Sequence, residues 1–138
     1  MSSEMERIVS LVSRAPNALI GSVDEEGYPN VKAMLPPRKR EGLERIYFST
    51  NTSSKRVAQF RENPKASLYF YDPNSFQGVM LKGEMEVVEE FKYKEMLWQA
   101  GDEIYYPLGV TDSDYCVLIF HTKSLRYYTN MNSFDLNF

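Results

Sequence analysis

Ala18-Leu-Ile-Gly-Ser-Val-Asp-Glu-Glu-Gly-Tyr-Pro-Asn-Val-Lys-Ala-Met-Leu35 decides the fold. Ala18 to Val23 reads as a strand and Tyr28 to Leu35 as its return. Asp24-Glu25-Glu26-Gly27 between them has turn chemistry, and Gly27 is free to take a positive φ. Two strands joined by so short a turn pair antiparallel. Pro36-Pro37 ends the pairing, because neither residue has an N–H to give.

The pattern repeats outward from this hairpin. Met5, Ile8, Val9 and Val12 recur at helical spacing, which predicts a short amphipathic helix capped at Ser2 or Ser3 and ended by Ala15-Pro16-Asn17. Arg38 to Gly42 reads as a polar loop and Leu43 to Ser49 as a third strand. A hydroxyl-rich loop, Thr50 to Ser54, then runs into a helix that buries Val57 and Phe60 and stops at Asn63-Pro64. Strands follow at Ala66–Tyr71 and Val79–Val88, with a bend or bulge expected at Gly83. A helix is expected over Glu90–Gln99 and an irregular stretch over 104–114. Two closing strands, Tyr115–His121 and Leu125–Thr129, and a tail from Met131 to Phe138 complete the reading. The expected fold is a mainly β, α+β domain spanning 1–138: a six- to seven-stranded antiparallel split barrel flanked by short helices.

Composition narrows the function. The 138 residues are enough for one domain with a real core. A net charge of −3 argues against a general nucleic-acid binder. The single cysteine, Cys116, forms no intrachain disulfide, and the single histidine, His121, makes no two-histidine metal site. No run of about 20 apolar residues and no basic, apolar leader is present, so a reduced, cytoplasmic protein without a membrane partner is expected. Tyr115-Cys116-Val117 reads as a buried, inert thiol, and Ile119-Phe120-His121-Thr122 lacks the elbow that a serine nucleophile needs.

Charge is unevenly placed. Residues 31–61 carry eight cations and two acids, a segment of +6 inside an acidic chain, which points to a local anion site. The sharpest part is Phe48-Ser-Thr-Asn-Thr-Ser-Ser-Lys-Arg-Val-Ala-Gln-Phe60. Lys55 and Arg56 sit in a first helical turn, where the dipole disfavours cations. A bound anion would offset that, helped by the free N–H groups of the turn and the hydroxyls of Thr50, Ser53 and Ser54. No Gly-x-x-x-x-Gly-Lys loop is present. Lys32 is a second cationic candidate, on the same strand face as Met34. The competing reading of these residues is a capped helix with solvated cations.

The order of these pieces resembles the pyridoxamine 5′-phosphate oxidase-like, FMN-binding split-barrel family. The resemblance is carried by Leu19–Met34, Ile46–Asn51, Ser54–Phe60, Asn63–Phe70, Gln77–Gly83 and Leu125–Tyr128. The general-stress-protein subgroup is the most similar, through the Trp98 helix and Tyr105-Tyr-Pro-Leu-Gly109. The resemblance implies FMN at a homodimer interface. Lys32 would meet the phosphate, and Ala33, Met34 and Leu35 would line the flavin ring. Ser49, Thr50 and Ser54 would lie beside the ribityl phosphate, which Lys55 and Arg56 would bind. Gln77 and Tyr128 would lie against the flavin. The oxidases' C-terminal Arg-x-His is missing after Tyr128, and Pro37 replaces a substrate-binding Lys, so oxidation of pyridoxamine phosphate is not implied. The resemblance leaves an FMN-dependent oxidoreductase fed by a nicotinamide donor, a non-catalytic flavin store or sensor, or a barrel for haem or deazaflavin. Haem ligation would fall to His121 or a tyrosine.

Overall fold

A computed structural model describes residues 2–138. Eight strands form one antiparallel sheet in the order β2-β1-β5-β6-β7-β4-β3, with β8 added alongside β7. The outer strands β2 and β3 do not pair with each other, so the barrel is split rather than closed. The expected count of six to seven strands is corrected to eight.

The hairpin that opened the reading is present as β1 (Ala18–Val23) and β2 (Pro29–Met34), in register from Ala18↔Met34 to Val23↔Pro29. Asp24 organises its turn by accepting from the N–H groups of Glu26 and Tyr28. β1 then pairs with β5 (Lys65–Asp72), and β5 with β6 (Gln77–Val88). The 15-residue β7 (Tyr115–Thr129) corrects the two closing strands expected from sequence. Its first half pairs with β4 (Arg45–Asn51) and its second half with β8 (Asn132–Asn137). At the changeover the β6–β7 register jumps from Lys82↔Ser124 to Gly83↔Thr122, leaving Lys123 as the extra residue of a bulge. Glycine is required at 83, because a Cβ there would overlap the His121 carbonyl oxygen.

Two further corrections concern polar segments. Arg38–Gly42 contains β3 (Lys39–Glu41), which pairs Arg40 with Ile46 on β4. The tail from Met131 is β8, reached through a two-residue turn in which Asn130 (φ 49°) and Met131 (φ 62°) are both left-handed.

One core fills the barrel. Alternate residues Ile20, Leu68, Phe70, Val79, Leu81, Leu118, Phe120, Ile46 and Phe48 point inward. Helix α1 (Ser3–Arg14), capped by Ser2 as expected, adds Ile8, Leu11 and Val12. Helix α2 (Lys55–Glu62) adds Val57 and Phe60. Helix α3 (Phe91–Leu97) packs on the opposite face of β4 and β7, joining Leu97, Tyr106 and Tyr115 to Tyr47, Val117 and Ile119 in a second cluster. Of two single-turn 3-10 helices, Asp102–Ile104 leads into the stretch read as irregular and Gly109–Thr111 lies within it. Arg38 anchors it by donating to both Asp102 carboxylate oxygens and to the Leu97 carbonyl. No helix among the described residues is long and apolar enough to cross a membrane.

Candidate functional site

The sequence candidates fall into two groups. The first surrounds the start of α2. Ser49 and Thr50 end β4 on opposite faces, Thr50 toward the barrel core and Ser49 toward the second cluster. Ser54 caps the helix by accepting from the Val57 N–H at 3.2 Å. The loop between them is held by Asp114. Its carboxylate accepts from the Ser53 N–H at 2.8 Å and from Asn51 Nδ2 at 3.0 Å, and its carbonyl accepts from the Thr52 N–H at 2.8 Å. These bonds hold the Asp114 carboxyl below its usual pKa. They engage loop amides ahead of the helix and not the helix-start N–H groups expected to be free. Only the first-turn amides of Lys55 and Arg56 remain without a partner among the described residues.

Arg56 is the unusual member. Its side chain is half-buried and its Nε is shielded from water with no hydrogen-bond partner. No ion pair engages it or Lys55 among the described residues, and burial pushes its guanidinium pKa down. Ser49 Oγ and Thr52 Oγ1 are shielded and unpartnered too, though they lie beside the Tyr115 hydroxyl and the Cys116 thiol. Burying a cation without a counter-charge is unfavourable by several kcal/mol in the limit of full burial, at roughly the scale of an unpaired ion. An anion at this corner removes that cost.

The same corner borders the hairpin. Ser22 donates to Gln59 Oε1 at 2.5 Å, tying α2 to β1. Arg56 lies three residues before Gln59, on the same side of the helix, which Gln59 ties to β1. On β2 the register Ile20↔Lys32 puts Lys32 and Met34 on the barrel-interior face, and Ala33 and Leu35 on the outer face. Lys32 is exposed and outside every ion pair among the described residues.

The +6 segment therefore does not act as one patch. Arg38 pairs with Asp102, Arg45 with Glu41 and Arg61 with Glu89, while Arg40 bonds Gly42 and Ser13. Lys32, Lys39, Lys55 and Arg56 are left outside these bonds among the described residues, Lys39 on the edge strand β3. Charge counting overstated the site, because each consumed cation finds its partner far along the chain or in a neighbouring turn.

The second group, Gln77 and Tyr128, lies at the far end of the sheet. Val88 pairs with Val117, which pairs with Ser49, so Ser49 sits level with the end of β6 whereas Gln77 begins it. Eleven residues separate Gln77 from Val88, about 36 Å of strand path at about 3.3 Å per residue. Gln77 accepts from the Tyr127 hydroxyl and donates to Ser75 Oγ, each at 2.7 Å. Tyr128 lies on the outer face, opposite Gly78. Beside them is an aromatic cleft of about 240 Å³ lined by Tyr69, Tyr71, Pro73, Phe76 and Tyr128. Sequence reasoning passed over Tyr69 and Tyr71, although their period-two spacing on β5 was legible; nothing in the sequence singled out Asp114.

Cys116 is fully buried and its thiol pKa is pushed up by burial, as expected of an inert thiol. His121 Nε2 lies 2.9 Å from Glu86.

Solved structures carry the same fold. A protein related to general stress protein 26 of B. subtilis (pyridoxinephosphate oxidase family), from Clostridium acetobutylicum, is 38% identical. The match covers 99% of this chain and 96% of that one, with a TM-score of 0.89. At 13% identity, a pyridoxamine 5′-phosphate oxidase-related, FMN binding protein of Nostoc punctiforme covers 100% and 97% with a TM-score of 0.73. At 15%, a heme binding protein of Mycobacterium smegmatis covers 99% of this chain and 59% of that one with a TM-score of 0.78. These last two show the fold alone. The pyridoxine/pyridoxamine 5′-phosphate oxidase of Legionella pneumophila (strain Lens) is 34% identical over 76 residues, which is 53% of this chain and 34% of that protein. The chain thus matches about a third of the length of that curated relative. The pyridoxamine 5′-phosphate oxidase family model matches residues 5–129, and this chain belongs to that family.

Proposed function

We propose that this chain binds FMN between two copies of itself and serves as a flavin-dependent oxidoreductase that does not act on pyridoxamine phosphate. The observation that carries the proposal is Arg56, a half-buried cation with a shielded, unpartnered Nε at a helix start. A phosphate monoester there would accept charge-assisted bonds from the guanidinium, from Lys55 and from the two free first-turn amides, with Lys32 approaching from β2.

Bound FMN would supply two-electron chemistry between a nicotinamide donor and a small acceptor. The protein's part is binding and orientation. The Tyr127 and Ser75 bonds fix the Gln77 amide and leave one Nε2 hydrogen free to donate to a flavin carbonyl or ring nitrogen. Gln77 and Tyr128 lie apart from Arg56, at the start of β6 and near the end of β7. A second copy supplies them in this reading. The outer sheet face fits that role, with Val31 and Leu35 each 71% exposed beside Tyr69 and Tyr71.

Against pyridoxamine phosphate stands the C-terminal strand, since Asn132–Asn137 carries no arginine or histidine to hold a second phosphate. Haem has no comparable support: the ring Nε2 of the single histidine is already engaged by Glu86.

The test is titration of the purified protein with FMN, followed by anaerobic mixing with NADH or NADPH. Uptake of one FMN per chain with bleaching of the flavin band supports the reading. Uptake without bleaching makes the protein a flavin carrier, and no uptake refutes the proposal.

A further inference from the structure

The loop ahead of α2 is shaped from outside itself. Asp114, 61 positions beyond Ser53, accepts through its carboxylate from the Ser53 N–H at 2.8 Å and from Asn51 Nδ2 at 3.0 Å. Its carbonyl accepts from the Thr52 N–H at 2.8 Å. Asp114 is in turn fixed from behind. The carboxylate of the buried Asp112 accepts from the N–H groups of Asp114 at 3.0 Å and of Leu108 at 3.1 Å. The Asp112 carbonyl accepts from Nζ of Lys94, a buried lysine of α3, at 3.0 Å. The Tyr115 hydroxyl donates to the Lys94 carbonyl at 2.7 Å. The second cluster, to which Tyr115 belongs, therefore sets where the loop stands.

The same bonds keep Asp114 off the neighbouring cations. Ser53 stands two residues before Lys55, so the carboxylate lies within about 10 Å of the Lys55 amide. Yet no ion pair joins it to Lys55 or Arg56 among the described residues. Its oxygens are committed to loop donors, Asn51 first and then Ser53, which hold the carboxyl below its usual range and keep it ionised. An acid free to swing would pair with Lys55 and Arg56 and compete with an anion for them. A loop left unheld would be ordered anew each time an anion bound, and that entropy would be lost from the affinity. Binding Asp114 to the loop amides removes both penalties.

We propose that Asp114 is a positioning residue for the phosphate corner. It holds the α2 start open before a ligand arrives, with Lys55 and Arg56 unpaired and their amides free. Asp114 acts through the backbone of residues 51–53 and does not itself bind the phosphate. The inference rests on the FMN reading and adds to it the residue that prepares the site.

The experiment is a flavin-fluorescence titration with FMN and with riboflavin, the same ring without the phosphate, on variants shown by circular dichroism to be folded. Asp114→Ala should weaken FMN about 10-fold, the loss expected when about one residue must be ordered on binding, and leave riboflavin unchanged. Asp114→Asn keeps an acceptor for the Ser53 N–H and, with the Asn51 amide turned, a bond to Asn51. It should hold FMN within about 3-fold of wild type although the charge is gone. Asn51→Ala removes one of the bonds and should weaken FMN about 3-fold; should Asp114→Ala not fold, Asn51→Ala and Asp114→Asn decide. Asp102→Asn breaks the Arg38 bridge and no bond of this loop, so it should lower stability with FMN affinity unchanged. Four results would each overturn the inference and leave FMN binding standing: equal losses for FMN and riboflavin, an Asp114→Asn loss as large as that of Asp114→Ala, a loss of that size in Asp102→Asn, or full FMN affinity in Asp114→Ala or Asn51→Ala. No FMN uptake by the wild type refutes the flavin reading, and the inference falls with it.

Discussion

Replacing Arg56 by methionine separates a ligand-binding cation from a structural one. Methionine keeps an unbranched stem against the barrel and removes the charge. In the ligand-free protein Arg56 has no carboxylate partner and a shielded Nε, and burial already pushes its pKa down. Its removal therefore leaves the ligand-free stability unchanged within about 0.5 kcal/mol, or raises it slightly. With FMN the outcome reverses. A hydrogen bond to a charged group is worth about 1.5–3 kcal/mol, so losing the guanidinium weakens FMN by about 10- to 150-fold. Ligand at 100 times its Kd stabilises the native state by about 2.7 kcal/mol, about 9 °C in Tm for a chain of this size. At the same FMN concentration a variant weakened about 30-fold keeps about 0.9 kcal/mol, or about 3 °C. Differential scanning fluorimetry with and without FMN reads both effects. An FMN-induced shift equal to that of the wild type would show that the phosphate lies elsewhere. A ligand-free Tm lowered by more than about 6 °C would show that Arg56 is a structural residue.

Three other perturbations test the fold that presents the site. Asp102→Asn breaks the paired, largely buried Arg38 bridge and should cost about 3 kcal/mol in urea denaturation at neutral pH. The Arg38 hydrogen bond is the main cause of the lowered Asp102 pKa, so this stability is complete above the unfolded carboxyl value and lost as pH falls through the lower folded value. The Asp102→Asn penalty should accordingly shrink in acid, and a constant penalty at all pH values would contradict the assignment. Gly83→Ala forces a Cβ onto backbone rather than a flexible side chain, and should destabilise by about 3 kcal/mol or prevent folding. Met131→Gly relieves a left-handed, 87% exposed methionine in the β7–β8 turn and should raise stability by about 1 kcal/mol; a loss would mean that the side chain packs against something else.

Elements with a strong apolar period were legible from sequence, and elements made by their neighbours were not. The first hairpin and α1 announce themselves through turn chemistry and helical spacing. Lys39-Arg40-Glu41 has no apolar residue at all, and is a strand because β4 offers it an edge; the Arg38 N–H bonds to the Tyr47 carbonyl just before it. In β8, Phe134 and Leu136 do alternate and pack on the core, but their turn is Asn130-Met131, without the glycine that signals such a hairpin. Thr122-Lys123-Ser124 looks like a break between strands and is instead a bulge inside one. Sequence placed Lys55 and Arg56 in a serine-capped first helical turn, as α2 has them. It could not tell which cations were already consumed, since Arg38 finds Asp102 64 positions away. Nor could it show that Asp114 had taken the N–H groups of the loop.

Cofactor and oligomeric state are joined in the proposed function. The Ser22–Gln59 bond sets α2 beside a part of the sheet level with Gly83, and Gln77 lies six residues farther along β6, about 20 Å of strand path. In that proposal one chain offers the phosphate corner and its partner offers Gln77 to a given flavin. Val31, Leu35, Tyr69 and Tyr71 expose apolar surface on the outer face, on or beside β2 and β5. A second copy docked there by a two-fold axis would bring each corner to the other chain's cleft twice over, because a two-fold interface repeats every contact. In the proposed function FMN binding and dimerisation stand together. If FMN binds a monomer with full affinity, Gln77 and Tyr128 lose their role in the site, and only the Arg56 corner remains as the explanation of binding.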